Sequence, residues 1–182
     1  RFDPPLAAKS RPLRLLASGP VLKAMLRFRS PFWEKANGGR CRDAAFFHAP
    51  GAAFPTFWTA RPVRAPVLVA WAGGPGVQRL AGASGDAAIR AALASLGSVF
   101  GPRAVRGARL VSAEIHDWQR DPCARGAYSY VLAGGGAARR ALARPLLGTL
   151  FFAGEAADFR GEAGTVAGAL ASGQSAARAV GA

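Results

Sequence analysis

From Val21 to Phe28 the chain alternates, with Leu22, Ala24, Leu26 and Phe28 on one face and Val21, Lys23, Met25 and Arg27 on the other. A period of two predicts a strand with one buried face. Before it, residues 12–18 predict a short helix closed by Gly19-Pro20. Ser30-Pro31-Phe32-Trp33 breaks the strand, and the polar, glycine-rich stretch 34–44 reads as a surface loop. Further strands are expected at about 45–48, 54–59 and 66–71, the last stopped by Gly73-Gly74-Pro75-Gly76. Ser84 stands where an N-cap belongs for a helix with Ile89, Leu93, Leu96 and Phe100 at helical spacing, ended by Gly101-Pro102. A strand near 109–117 leads into Trp118, and 119–145 reads as irregular with a short helix at 136–143. Leu147 to Ala153 has the composition of a buried strand, and Thr165 to Val180 that of a helix rich in small residues. Interleaved strands and helices predict an α/β (α+β) class.

The chain has 182 residues, 51% of them hydrophobic, which suffices for a sizeable core and excludes a disordered chain. No apolar run approaches the roughly 20 residues of a membrane-spanning helix. The chain begins at Arg1 rather than Met, which we read as a truncation or processing point. Cys41 and Cys123, like His48 and His116, lack ligand spacing, so neither a zinc site nor a disulfide framework is expected. The net charge of +14 invites a nucleic-acid partner. Its distribution argues against one. Residues 1–42 hold ten basic and two acidic side chains, while 43–117 and 118–182 hold seven against four each. No basic run exceeds Arg139-Arg140, and no nucleic-acid motif is recognisable.

The densest chemistry lies near the C-terminus. Thr149-Leu150-Phe151-Phe152-Ala153 ends in Gly154-Glu155, and Gly164-Thr165-Val166 then opens a helix whose first turns are nearly all small. Glycine at a strand end lets backbone approach a ligand closely. A helix N-terminus offers free N–H groups and a positive dipole end to an electron-rich partner. The same residues also fit a tightly packed core helix after a tidy strand exit.

Leu150-Phe151-Phe152-Ala153-Gly154-Glu155-Ala156 followed by Gly164-Thr165-Val166-Ala167-Gly168-Ala169-Leu170-Ala171-Ser172-Gly173 resembles the closing signature of the flavin amine oxidase family. That family includes monoamine oxidases, polyamine oxidases and lysine-specific histone demethylases. Its common histidine before the Gly-Ala pair is Ala167 here. Trp118-Gln119-Arg120-Asp121-Pro122 and Gly126-Ala127-Tyr128-Ser129-Tyr130 resemble the segment that lines the substrate side of the flavin. Gly19-Pro20-Val21-Leu22-Lys23, with Phe28 and Pro31-Phe32-Trp33, resembles the strand that carries the family lysine. A lone lysine on such a strand is ordinarily a snorkelling edge residue.

The resemblance implies a mixed-sheet substrate-binding domain, mainly 1–117, and the C-terminal strand and helix of an FAD-binding, Rossmann-like domain, 118–182. It implies an amine substrate oxidised to an imine, with molecular oxygen reoxidising the flavin to yield hydrogen peroxide. Lys23, Tyr128 and Thr165 would be catalytic: Lys23 through a water at flavin N5, Tyr128 as one wall of an aromatic cage, Thr165 opposite it. Trp118, Gly154, Glu155, Gly164, Thr165, Val166 and Ala169 would bind the cofactor, with Glu155 reaching the ribityl or pyrophosphate region through a bridging group. Ala127 stands where monoamine oxidases carry the flavin-bonding cysteine, so the FAD is expected to be noncovalent.

No G-x-G-x-x-G follows a strand anywhere in the chain, so the ADP half of the cofactor has no recognisable cradle. A dinucleotide-binding half supplied by further N-terminal sequence is therefore an expected partner. Two readings stay open beside this one. One is another flavin oxidoreductase of the same fold, of the desaturase or protoporphyrinogen-oxidase kind. The other is a non-catalytic basic remnant.

Overall fold

The structure is a computed structural model describing residues 2–80 and 82–181. Along the chain run α1 (Ala7–Arg14), β1 (Leu16–Ser18), β2 (Val21–Phe28), β3 (Phe46–His48), β4 (Thr56–Thr59), β5 (Val67–Gly73) and α2 (Gly85–Phe100). They are followed by α3 (Pro102–Gly107), β6 (Leu110–Asp117), β7 (Ser129–Val131), α4 (Ala138–Ala143) and α5 (Val166–Val180). The chain forms two compact units: Pro20–Arg125, and a second unit in which the segment up to Gly19 joins the segment from Gly126 onward. The sequence reading drew one boundary, after 117. The chain instead crosses between units twice, because β1 pairs antiparallel with β7 and so carries the N-terminal segment into the later unit.

The Pro20–Arg125 unit is built on a five-stranded sheet of order β3-β4-β5-β2-β6, antiparallel at each described pairing rather than mixed. The alternation in β2 is realised: Leu22, Ala24, Leu26 and Phe28 are buried, whereas Met25 and Arg27 are exposed. Phe57, Leu68, Ala70 and Ala72 continue that buried face, and Ala88, Ala92 and Leu96 of α2 join its core. The α2 seam runs at i, i+4 and i+8 through two alanines, so the helix lies close to the sheet; Ile89, Leu93 and Phe100 flank it. Ser84 caps α2 as expected, its side chain accepting from the Ala87 N–H at 3.3 Å. The polar stretch 34–44 is more ordered than a loose loop. It begins in 3-10 turns over Phe32–Gly39, and Arg64 bridges Glu34 at 2.9 Å and Asp43 at 2.7 Å.

In the other unit, two expectations are corrected. The helix placed at 12–18 lies earlier, as α1, which runs through Pro12 and ends at Arg14, because 16–18 pairs instead as β1 with 129–131. The buried strand placed at 147–153 is absent. Leu147 (φ 54°) and Gly148 (φ 66°) turn the chain back on itself, leaving only a bridge between Leu146 and Leu150. Among the described residues no strand runs beside 151–153, and a strand exists only by pairing. Lys9 of α1 caps α4, donating from Nζ to the carbonyls of Ala141 at 2.8 Å, Leu142 at 2.9 Å and Arg144. That ammonium is buried and also faces the Phe152 ring, 4.8 Å from its centroid.

Candidate active site

Glu155 organises the second unit. It follows Gly154, whose φ of 126° suits glycine and turns the chain into a 3-10 turn, Glu155–Ala157. Its Oε1 accepts the Ser129 N–H at 2.9 Å, and its Oε2 accepts the Ser129 hydroxyl and the Gly164 N–H, both at 2.8 Å. Arg139 of α4 closes the knot. It donates to the Ser129 hydroxyl at 2.7 Å and the Ser129 carbonyl at 2.9 Å, and lies 3.7 Å from Oε2 of Glu155. One carboxylate thereby ties β7, α4 and the turn before α5. Both its oxygens are engaged within the protein, which bears on the expected bridge toward a ribityl or pyrophosphate group.

The turn that Glu155 holds delivers the N-terminus of α5. Gly164 sits at φ 81°, and a methyl placed on it would lie 3.8 Å from Cβ of Tyr128. Thr165 is the N-cap: its Oγ1 accepts from the Gly168 N–H at 3.0 Å and donates to the Glu162 carbonyl at 2.7 Å. Gly168 is obligatory in physical terms, since any Cβ there would overlap the Glu162 carbonyl. The amides of Val166 and Ala167, in the first turn, have no partner available inside the helix. Val166 is 78% exposed and Tyr128 54% exposed, while Ala169 is half-buried with its N–H on the Thr165 carbonyl at 3.1 Å. Tyr128, Gly154, Glu155, Gly164, Thr165, Val166 and Ala169 thus share one unit. Tyr128 is anchored by its backbone, its carbonyl accepting from Gly19 N–H at 2.8 Å.

Lys23 and Trp118 belong to the other unit. Lys23 sits mid-sheet, paired with Trp71 of β5 and His116 of β6, and its Nζ lies 5.2 Å from the Trp58 ring. Trp118 follows β6, its N–H on the Val21 carbonyl at 3.1 Å and its ring edge-on to His116 at 4.4 Å. His116 Nε2 in turn lies 3.3 Å from Asp121 Oδ2. The Asp121 carboxyl is held below its usual range by the backbone N–H groups of Ala124 and Cys123 and by His116.

Sequence reasoning passed over several supporting groups. Ser129 was visible inside the Gly126–Tyr130 block but carried no assigned role. Arg139 had no distinguishing signal among the many arginines, and Lys9 none at all. A recess of about 440 Å³ in this unit is lined by Arg140, Arg144, Phe151, Phe152, Phe159 and Ser172 among others, and by none of the sequence-predicted residues. Among the described residues no cluster of His, Cys, Asp or Glu could hold a metal, and no helix is long and apolar enough to cross a membrane.

The fold matches part of solved amine oxidase structures. Cyclohexylamine oxidase from Brevibacterium oxydans IH-35A matches with a TM-score of 0.75 and 26% identity over 99% of this chain and 39% of that one. A double mutant of putrescine oxidase matches in fold with a TM-score of 0.80 at 22% identity, over 100% of this chain and 40% of that one. The chain belongs to the family described as flavin containing amine oxidoreductase, whose model it matches over residues 1–181. Similar curated proteins include lysine-specific histone demethylase 1 homolog 3 of Arabidopsis thaliana, 33% identical over 95% of this chain. Lysine-specific histone demethylase 2 of Homo sapiens is 31% identical, also over 95% of this chain. The chain spans 11% and 21% of the lengths of those two relatives. FAD is the cofactor that membership indicates. Unused N–H donors at the start of α5, beside a glycine turn and an exposed tyrosine, fit the acceptor-rich pyrimidine edge of a flavin.

Proposed function

We propose that this chain supplies the flavin-facing and substrate-facing parts of an FAD-dependent amine oxidase that works as a longer polypeptide. The observation that carries this reading is the Glu155 knot, which holds Gly164 and the first turn of α5 beside Tyr128. FAD, when bound, supplies the hydride acceptor for oxidation of the carbon next to the amine nitrogen. The residues do the rest. With FAD bound, the N–H groups and dipole at Val166 and Ala167 would offer hydrogen bonds and positive charge to an electron-rich part of the cofactor. Thr165 fixes the orientation of that turn. Tyr128 would offer an aromatic face to the amine nitrogen, and Lys23 would hold a water. Glu155 acts through the turn it positions rather than by touching phosphate, since a carboxylate would repel that group. Trp118 and Gly154 would help hold the cofactor, and Ala127 offers no thiol for a covalent bond to it.

Full-length protein should show a flavin absorbance that amines bleach anaerobically and oxygen restores with release of peroxide. Lys23→Met should slow bleaching by about 10²-fold or more. Acid precipitation should leave the flavin in the supernatant. A full-length protein with bound flavin that no amine reduces would sink the reading.

A further inference from the structure

Charge that is scattered along the sequence gathers at one end of the five-stranded sheet. Strand β2 leaves the sheet there through Arg27, the buried Phe28 and Arg29. The edge strand β6 begins at the same end: Arg27 pairs with Ser112, and the Arg29 N–H donates to the Arg109 carbonyl at 3.0 Å. Helix α3 leads into this corner, with the Arg109 N–H on the Arg106 carbonyl at 3.3 Å and Arg103 one turn earlier. Arg27, Arg29, Arg103, Arg106 and Arg109 are all exposed. Strand pairing and helical spacing set neighbours in this group about 5–7 Å apart at Cβ.

Carboxylates do not offset them. Among the described residues none of the five arginines is in a salt bridge, whereas Arg61, Arg64, Arg120 and Arg139 are. Between Arg27 and Pro66 the carboxylates are Glu34 and Asp43, both already on Arg64, and Pro102 to Ala113 contains none. Arg109 moreover sits at φ 53°, a left-handed conformation that suits glycine and strains an arginine. Like charges collected without counter-charges destabilise a fold, so this corner fits an anionic partner better than it serves the unit itself.

We infer that the corner formed by the end of β2, α3 and the α3–β6 turn docks the phosphate backbone of a nucleic-acid duplex, without reading its sequence. The inference is independent of the amine oxidase reading. A guanidinium fork matches phosphate oxygens two at a time. A duplex carries one charge per roughly 1.7 Å of axis, divided between two strands. A patch spread over three elements can therefore meet several phosphates together, whereas an extended acidic peptide offers a single line of charge. The exposed aromatic side chains all lie outside 27–30 and 102–113. The corner accordingly lacks a platform for stacking the bases of a single strand, and an aromatic anchor for a membrane interface.

The test is fluorescence anisotropy of the 182-residue chain with two short DNA duplexes of unrelated sequence and with a single strand of the same length. Co-sedimentation with phosphatidylserine–phosphatidylcholine vesicles runs beside it. Both duplexes should bind alike, and with five phosphates engaged the affinity should fall roughly 500-fold between about 50 and 200 mM salt. The double variant Arg103→Ala, Arg106→Ala, at exposed helix positions that alanine suits, should bind at least about tenfold more weakly and flatten the salt slope by about 2. Arg109→Gly relieves the left-handed backbone, so it should weaken binding without lowering the melting temperature. Arg90→Ala with Arg178→Ala removes the same charge from exposed sites elsewhere and should leave affinity within about threefold. Equal losses in the two double variants would reduce the effect to net charge and overturn the surface. Tighter binding to the vesicles or to the single strand overturns the choice of partner. No duplex binding by the folded chain at the lower salt overturns the inference outright.

Discussion

Lys9 and Glu155 do comparable work from opposite signs of charge. Each gathers backbone groups: three carbonyls at the C-terminal end of α4 for Lys9, and the N–H groups of Ser129 in β7 and Gly164 before α5 for Glu155. Removing one partner of such a set leaves the others unpaired, which costs more than the bond itself contributed. Lys9→Met is therefore expected to lower unfolding free energy by about 2 kcal/mol, read from urea titrations of the chain. Burial, and then the charge of Arg144, holds the Lys9 ammonium below its usual 10.5. Between that lowered value and 10.5 the unfolded chain binds more protons than the folded one, so stability gains a contribution that rises with pH across the window. The wild type minus Lys9→Met difference should show this rise, and a flat difference would refute it. Glu155→Ala should cost about 2 kcal/mol and, in full-length protein, weaken flavin retention, because the α5 turn loses its support. Stability unchanged to within about 0.5 kcal/mol would show the knot to be incidental.

At the scale of elements, α5 contains two glycines with opposite expectations. Gly168 packs against the Glu162 carbonyl with no room for a Cβ, whereas a methyl added at Gly173 would meet nothing within 4 Å. Gly173→Ala should stabilise the helix by roughly 0.5–1 kcal/mol through propensity alone. Gly168→Ala should destabilise it despite the same propensity gain, by about 2 kcal/mol, with the turn before α5 displaced. Thermal melts of the pair decide this, and melting shifts of the same sign would overturn the packing argument. Much of this element was legible beforehand. The small-residue run and the Thr165 N-cap are local features, and so are the β2 alternation and the Ser84 cap of α2. Local hydrogen bonds and periodicity are visible in a single stretch of chain. The pairing of 16–18 with 129–131, and the lack of any strand at 147–153, depend on residues far away in sequence and were read wrongly for that reason.

For the whole molecule, the two units differ in how they draw on the chain. The core cluster of the sheet unit lies entirely between Leu22 and Ala108. Excised residues 20–125 should thus unfold cooperatively in urea, while 126–182 alone should not, having lost β1 and the Lys9 cap. A gradual, non-cooperative transition in 20–125 would contradict the division. The cofactor behaves as a whole-molecule property too. With no dinucleotide fingerprint in its 182 residues, the chain alone should retain FAD weakly. Stoichiometric flavin after gel filtration of 1–182 would show that the reactive end suffices.

By itself the sequence determined the residue chemistry and the local frame: which face of β2 is buried, where α2 and α5 are capped, and the ordered blocks that mark a flavin amine oxidase. Those follow from period, capping and motif, all short-range. Tertiary structure decided what each block touches. It turned Glu155 inward onto Ser129 and Gly164, enlisted an undistinguished Arg139 and Lys9, and aligned Trp58, Trp71 and Lys23 across three strands. Such groupings arise from pairing register and chain crossings, which set residues side by side without leaving any pattern in the chain between them.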